Sequence, residues 1–187
     1  MKKKILCVCL ISVIYSLVFS ACTKDVDFNQ INDFEVSPVV ESSLIFLNEP
    51  ANKFYNNGVE LTTFQDSVAI KIFKDKFIKD HLVKAELVFE TSNSIDRGFN
   101  LRVDFLTDTN TLQHTFNFSV PASPTNSVLI YNYTEVFEGN ELLSLLATEK
   151  LLFTLNLQPG EAINESTLGS IQLKSKGIFY LNIDNTL

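Results

Sequence analysis

The chain has 187 residues, of which 45% are hydrophobic, 20% charged and 11% aromatic, with 16 Phe but only 6 Gly and 5 Pro. A chain of this length folds as one domain that buries roughly 70% of its unfolded surface. The apolar fraction excludes a disordered protein, and the low Gly and Pro content excludes a collagen-like one. The net charge of −7 and the pI of about 4.8 exclude nucleic acid as a partner, because phosphate binding needs a basic surface.

The first residues have the pattern of a secretory signal peptide. Three lysines at 2–4 precede an uncharged run of 15 residues, 5–19, which is shorter than the ~20 residues that a membrane-spanning helix needs. The segment Phe19-Ser20-Ala21-Cys22 then resembles the bacterial lipobox, in which small residues precede a cysteine that becomes lipidated. This resemblance implies a signal peptide at residues 1–21 and lipidation at Cys22. The alternatives are an uncleaved signal anchor and an ordinary secreted protein.

The cysteines agree with export, since all three of them, Cys7, Cys9 and Cys22, lie within this segment or directly after it. Cleavage before Cys22 leaves the folded domain without a thiol, so we expect no disulfide, Cys-bound metal or Cys nucleophile there. Cleavage also removes three lysines and no acid, which makes the mature chain still more acidic. Such a surface disfavours electrostatic docking on anionic lipid, so the lipid anchor is expected to supply the membrane attachment.

Residues 22–40 are polar and acidic and predict a tether that leads into one domain at 41–187. Lys24, Asp25 and Asp27 follow the lipobox cysteine, with Val26 between the two acids. This arrangement resembles the surface-export signal of Bacteroidota lipoproteins, and the whole chain resembles small lipoproteins of flavobacterial type. The resemblance implies an outer-membrane location, lipid-anchored and facing the cell surface, and it implies no activity. A periplasm-facing anchor is the alternative.

A period of two in the hydrophobic pattern dominates the remaining chain and predicts β-strands with one buried face. The strands are predicted at 84–90, 99–105, 112–120, 151–157 and 171–183, with weaker candidates at 43–48, 67–73 and 127–137. The turn residues 107–110 predict that the second and third of these strands form a β-hairpin. Gly177 indicates a bulge or bend in the last strand.

One short helix is predicted near 140–148, because four leucines recur there at helical spacing and Gly139-Asn140 can begin the helix. About eight strands, frequent turns and no βαβ alternation predict an all-β fold, an antiparallel β-sandwich. The order of the elements resembles immunoglobulin-like or late-embryogenesis-type sandwiches, which is an analogy of fold and carries no function.

The residues that usually carry catalysis or bind metal are sparse. His81 and His114 are the two histidines, and we expect His114 at the rim of the sandwich, with a buried base or ligand as the alternative. Asp25, Asp27 and Asn29 match the first ligands of a calcium loop, but Gln30 and Val36 stand where that loop needs Gly and Glu, which excludes it. We therefore predict no catalytic residues, no metal site and no cofactor.

Two surface features remain. Tyr131 and Tyr133 share one face of a predicted strand and could form a small ligand platform, or they could pack on the helix. The segment 71–79 carries four lysines, Lys71, Lys74, Lys76 and Lys79, and is expected to be a charged edge that discourages sheet pairing. A docking patch for an acidic partner is the alternative for this segment.

Three functions fit these observations. The leading hypothesis is a non-enzymatic binding or assembly module of the cell envelope, with an unidentified protein or glycan partner. The second is a glycan-binding accessory lipoprotein of a polysaccharide uptake system, which needs an exposed aromatic strip. The third is a hydrolase with a carboxylate pair, which needs two acids converging in a cleft.

Overall fold

The structure is a computed structural model that describes residues 35–184, which consist mainly of strands. The strands are β1 (Glu35–Val36), β2 (Val39–Pro50), β3 (Tyr55–Asn56), β4 (Val59–Glu60), β5 (Thr63–Ala69), β6 (Leu82–Asn93), β7 (Phe99–Leu106), β8 (Leu112–Val120), β9 (Leu129–Glu138), β10 (Lys150–Leu157), β11 (Ser170–Leu181) and β12 (Ile183–Asp184). The helices are α1 (Lys76–His81) and α2 (Asn140–Leu146), and short 3-10 turns span Ala51–Phe54 and Ile72–Lys74. Neither helix is long and apolar enough to cross a membrane, and the same holds for every helix in the described part of the chain.

Eight strands form two four-stranded antiparallel sheets that face each other. Sheet I has the order β2-β11-β6-β9, and sheet II has the order β5-β10-β7-β8. The antiparallel pairs are nested along the chain, with β8 on β7, β9 on β6, β10 on β5 and β11 on β2. This nesting is that of a jelly roll, which is one way to build a double-sheet sandwich. The predicted antiparallel β-sandwich is confirmed, and its strand order is that of a jelly roll rather than immunoglobulin-like.

All eight predicted strands are present, because their alternating side chains bury one face against the opposite sheet. The strand expected at 67–73 begins and ends earlier, as β5 at Thr63–Ala69. In β11, Ile171, Leu173 and Phe179 are buried while the lysines between them are exposed. The predicted hairpin is also confirmed, since β7 pairs with β8 across the turn at 107–111. The register of β11 on β2 shifts just before Gly177, at the place of the expected bulge.

Phenylalanine fills the space between the two sheets. Seven rings are almost fully buried, namely Phe54, Phe73, Phe89, Phe99, Phe105, Phe137 and Phe179. They touch one another at favourable tilted or edge-on angles, as Phe105 does with Phe137 at a centroid distance of 5.2 Å. Two phenylalanines depart from this rule, because Phe46 and Phe77 are 65% and 47% exposed. Phenylalanine therefore supplies about a third of the buried hydrophobic residues, ten of the 29 in the described chain.

The two helices differ in how well the sequence predicts them. Helix α2 is confirmed at the predicted place, with Leu142 and Leu145 buried against the sandwich. Helix α1 lies in the lysine-rich segment for which the sequence predicts a charged strand edge, and that prediction is wrong. The helix begins at Asp75, whose carboxylate accepts hydrogen bonds from the amides of Phe77 and Ile78. This N-cap stabilises a single short turn of helix that hydrophobic periodicity does not reveal.

Because the strands of both four-stranded sheets pair antiparallel, the connections fall at two ends of the sandwich. The end that we call terminal holds the start of β2, the β7–β8 turn, α1 and α2. At this end the Leu181 amide donates to the Pro38 carbonyl at 3.0 Å, and the Asn182 amide donates to the His81 carbonyl at 2.8 Å. The opposite end, which we call distal, holds the connections at 51–62, 94–98, 121–128 and 158–169.

We expect Gly177→Ala to destabilise the domain by about 1–3 kcal/mol, since a methyl group at this position overlaps the buried ring of Phe179. Urea denaturation followed by circular dichroism measures the change. The neighbouring variant Ser175→Ala is the control. The Ser175 hydroxyl is buried without a hydrogen-bond partner among the described residues, so its removal should leave the free energy of unfolding unchanged or raise it. A Gly177→Ala variant as stable as the unaltered chain would contradict this account.

Candidate functional site

The two predicted platform tyrosines lie where the edges of the two sheets meet. Strand β9 is an edge of sheet I and β8 is an edge of sheet II. The Tyr131 ring stacks on Phe118 at 5.7 Å, and the Tyr133 ring stacks on Phe118 at 4.9 Å and on Phe116 at 5.0 Å. We call these four rings the aromatic ladder. The ladder closes the gap between the sheet edges with side chains, and the aromatic partners of both tyrosines lie on β8.

The ladder leaves little free ring surface for a ligand. Phe116 and Phe118 are buried and Tyr133 is half-buried, so both faces of the inner rings are covered by their neighbours. Tyr131 is 39% exposed at the end of the stack. Of the two tyrosines, Tyr131 is therefore the one that offers a surface to an outside molecule.

A hydrogen-bonded group of three side chains continues the ladder toward the terminal end. The Tyr133 hydroxyl donates to Glu135 Oε2 at 2.6 Å, and Glu135 Oε1 lies 2.5 Å from His114 Nε2. The His114 ring also meets Phe137 edge-on at 4.9 Å. Burial and the hydrogen bond to Glu135 raise the pKa of Tyr133 to about 12. His114 is thus a half-buried side chain between the edges of the two sheets.

The distal end carries a polar cleft of about 510 Å³, which we call the distal cleft. One wall is the 3-10 turn and the β3–β4 hairpin, and the other holds Glu165 from the β10–β11 connection. The lining side chains are Asn52, Lys53, Tyr55, Asn56, Asn57 and Glu165. The hairpin turns at Asn57-Gly58, where both φ angles are positive (49° and 86°), as a two-residue primed turn requires. The sequence marks this turn but gives no sign of the cleft.

A buried arginine holds the two walls of the distal cleft together. Arg97 is only 7% exposed, and its guanidinium donates to the backbone carbonyls of Gln158 and Glu161. It also lies 3.4 Å from a carboxylate oxygen of Glu60 on the hairpin. The other oxygen of Glu60 accepts the Ile163 amide at 2.7 Å. Since a buried charge is stable only when it is paired and hydrogen-bonded, this contact fixes the hairpin against the β10–β11 connection.

The amide side chains of the distal cleft are exposed and are not used in hydrogen bonds within residues 35–184. Among residues 35–184, no hydrogen bond uses the side chain of Asn52, Asn56 or Asn57, although many other polar side chains are paired. Each amide offers two donors and an acceptor. The cleft therefore presents a set of hydrogen-bonding groups on a framework that the Arg97 contact holds in place.

A second, smaller depression of about 240 Å³ crosses the outer face of sheet I. It is lined by residues of four strands, Ser43, Val88, Glu90, Asn132, Lys174, Ser175 and Lys176. Its charged groups are largely paired with acids of the same sheet, since Lys174 lies 3.5 Å from Glu90 and Lys176 lies 2.9 Å from Glu41. This depression is smaller than the ~300–1,000 Å³ of usual ligand pockets, whereas the distal cleft falls within that range.

Several predicted residues lie outside the described part of the chain. These are the lipidation site Cys22 and the export residues Lys24, Asp25 and Asp27. Within residues 35–184, no group of three or more His, Cys, Asp or Glu side chains is placed to hold a metal ion.

The raised pKa of Tyr133 predicts how stability changes at high pH. Its folded value of about 12 exceeds the ordinary value of 10.0, so the stabilising contribution is complete below about pH 10 and is lost as the pH rises through about 12. We expect Tyr133→Phe to lose less free energy of unfolding over this interval than the unaltered chain, as measured by urea denaturation. Tyr131→Phe retains the Tyr133–Glu135 hydrogen bond and should lose as much as the unaltered chain. Equal losses in both variants would refute the assignment.

Comparisons with known proteins give only distant likenesses. No protein-family model matches the chain, and no curated protein matches it. Among solved structures, the infectious bursal disease virus VP2 subviral particle has a TM-score of 0.41 and 10% identity, covering 80% of this chain and 37% of that chain. A CBM4 structure has a TM-score of 0.34 and 10% identity, covering 72% and 86%. The enzymatically active domain of bacteriophage CBA120 tailspike protein 4 has a TM-score of 0.37 and 11% identity, covering 76% and 19%. At these scores the likenesses say nothing of function.

Proposed function

We propose that the chain is a lipid-anchored, non-enzymatic binding module of the outer membrane, and that it captures a glycan in the distal cleft. The observation that carries this proposal is the set of amide side chains without partners among the described residues, in a cleft of ligand size whose walls a buried arginine holds together. Rigid support matters, because a site that is already ordered loses less conformational entropy when it binds.

The chemistry of the lining favours a hydroxyl-rich ligand. A glycan presents many hydroxyl groups, each of which both donates and accepts hydrogen bonds. Asn52, Asn56 and Asn57 offer both functions, and Lys53 and Glu165 add a strong donor and a strong acceptor. Tyr55 adds an aromatic ring with a polar edge beside these groups, which suits a ligand that has both apolar faces and hydroxyls.

The location follows from the N-terminal sequence. In this proposal Cys22 carries the lipid, and Lys24, Asp25 and Asp27 direct the protein to the cell surface. The described chain begins at the terminal end of the sandwich, and the cleft lies at the distal end. The described chain therefore enters the sandwich at the end opposite the cleft, which in this proposal leaves the cleft open to molecules approaching the cell.

We expect the double variant Asn52→Ala/Asn56→Ala to bind its glycan about tenfold more weakly, since two hydrogen bonds of about 0.5–1.5 kcal/mol each are lost. The measurement is retardation in native gels that contain soluble polysaccharides, with starch, xylan, laminarin and mannan as the first panel. Neither side chain is used in a hydrogen bond within residues 35–184, so the fold should be unchanged, which circular dichroism verifies.

Matched variants on the other two surfaces identify the binding site. Asn132→Ala alters the depression on sheet I, and Tyr131→Ala removes the exposed ring of the aromatic ladder. Both should bind as the unaltered chain does. Loss of retardation in Tyr131→Ala alone would move the site to the ladder. Retention in every variant, or retardation by no polysaccharide in a wider panel, would overturn the glycan proposal.

Protease treatment of intact cells tests the location. We expect peptides from residues 40–187 to disappear from the unaltered protein, as measured by mass spectrometry, with a periplasmic protein as the internal control. In Cys22→Ala the protein should move to the soluble fraction and resist the protease until the outer membrane is opened. A Cys22→Ala variant that stays in the membrane would contradict lipidation. An unaltered protein that is protected in intact cells would contradict the export role of Lys24, Asp25 and Asp27.

A further inference from the structure

The segment 71–83, which contains helix α1, carries exposed apolar and basic side chains at the terminal end. Phe77 and Val83, which follow one another closely along the chain, are 47% and 50% exposed. In the same segment Lys71 and Lys79 are exposed and have no ion-pair partner within residues 35–184, whereas Lys74 is paired with Glu149 and Lys76 with Asp80. We call Lys71, Phe77, Lys79 and Val83 the α1 patch. An exposed phenylalanine in a domain that buries most of its phenylalanine is a costly arrangement in water.

The α1 patch lies beside the point where the chain enters the sandwich. The carbonyl of His81, the last residue of α1, accepts a hydrogen bond from the Asn182 amide, and the adjacent Leu181 amide donates to the Pro38 carbonyl. Pro38 immediately precedes β2, the first long strand. The patch and the N-terminal entry of the chain are therefore neighbours on the terminal end.

The distance from a lipid at Cys22 limits which surface can reach the membrane. Only residues 23–34 separate Cys22 from β1, and a segment of that length spans at most ~45 Å when fully extended. Strand β2, with 12 residues, is itself ~40 Å long. The terminal end can therefore reach the bilayer with a short tether, whereas the distal end can reach it only with the tether almost fully stretched along the sandwich.

The chemistry of the α1 patch fits the boundary between lipid headgroups and acyl chains. Aromatic and aliphatic side chains enter this boundary, and lysines extend their ammonium groups to anionic headgroups. The domain as a whole is acidic, which opposes docking of a large flat surface. Asp75 and Asp80 lie in the same segment, but its four lysines outnumber these two acids, so the segment 71–83 has a net positive charge. Charges of the domain more than about 10 Å away are screened by salt.

From these observations we propose that the α1 patch docks on an anionic lipid surface and holds the sandwich upright, with the distal cleft directed away from the membrane. The proposal rests on the lipid anchor at Cys22. It does not depend on the identity of the ligand in the cleft.

A single tryptophan reports the contact directly, because the chain contains no Trp. The acylated full-length variant Phe77→Trp is reconstituted in vesicles of phosphatidylethanolamine and phosphatidylglycerol, with or without brominated acyl chains. Since interfacial side chains enter the acyl boundary, we expect the indole of this variant to lose about half its emission in the brominated vesicles. The control Leu168→Trp places the reporter at the distal end, at a residue that is 72% exposed, and should lose almost none.

Two further measurements separate the contribution of the lysines from that of the lipid anchor. Adding Lys71→Glu and Lys79→Glu to the Phe77→Trp variant should reduce the quenching in these anionic vesicles and have a much smaller effect in phosphatidylcholine vesicles. Mass spectrometry of the purified protein establishes whether Cys22 carries acyl chains. If the protein is acylated and Phe77→Trp is no more quenched than Leu168→Trp, the docking is overturned and the anchor stays intact. A protein without acyl chains overturns the anchor and the docking together, while the glycan assay remains a separate test.

Discussion

Close packing of phenylalanine between two antiparallel sheets is the constraint on which the rest of this structure depends. Packed sheets lie about 10 Å apart, and the seven buried rings have the size to fill that space. If the domain has no cysteine after cleavage, its stability comes from this packing without help from disulfides. Aromatic rings also pack together at the sheet edges. There the aromatic ladder of Phe116, Phe118, Tyr131 and Tyr133 closes a gap that backbone hydrogen bonds do not bridge.

In the functions that we propose, the two ends of the sandwich serve different purposes. At the distal end, Arg97 and Glu60 fix a hairpin against a long connection and leave amide side chains open to solvent. At the terminal end, α1 and the chain entry share one surface that combines exposed apolar groups with lysines. Capture at one end and membrane contact at the other form a consistent arrangement for an anchored binding module. Each role depends on residues that the other does not use.

The sequence predicts the fold well because the strands obey a simple rule. Alternation in segments such as 99–105 reveals both the strand and its buried face, so all eight strands and the helix α2 can be recognised. The jelly-roll order of the strands cannot be recognised from the sequence, because pairs such as β2 with β11 join segments far apart in the chain. Helix α1 is not predicted, because it depends on the N-cap at Asp75 and not on a hydrophobic pattern. The distal cleft cannot be predicted from the sequence, because its asparagines are typical turn residues. They line a cleft only because Arg97 holds together two loops that are far apart in the chain.

The nested pairing has a consequence for how the chain must fold. The innermost hairpin, β7 with β8, closes across a short turn, and each later pair encloses the one before it. The outermost pair joins Val39 to Tyr180, so β2 has no sheet partner until almost the whole chain is present. Because a chain is synthesised from its N-terminus, its first long strand stays unpaired until β11 has been made. Contacts between such distant segments slow folding and leave an unpaired strand edge exposed in the meantime.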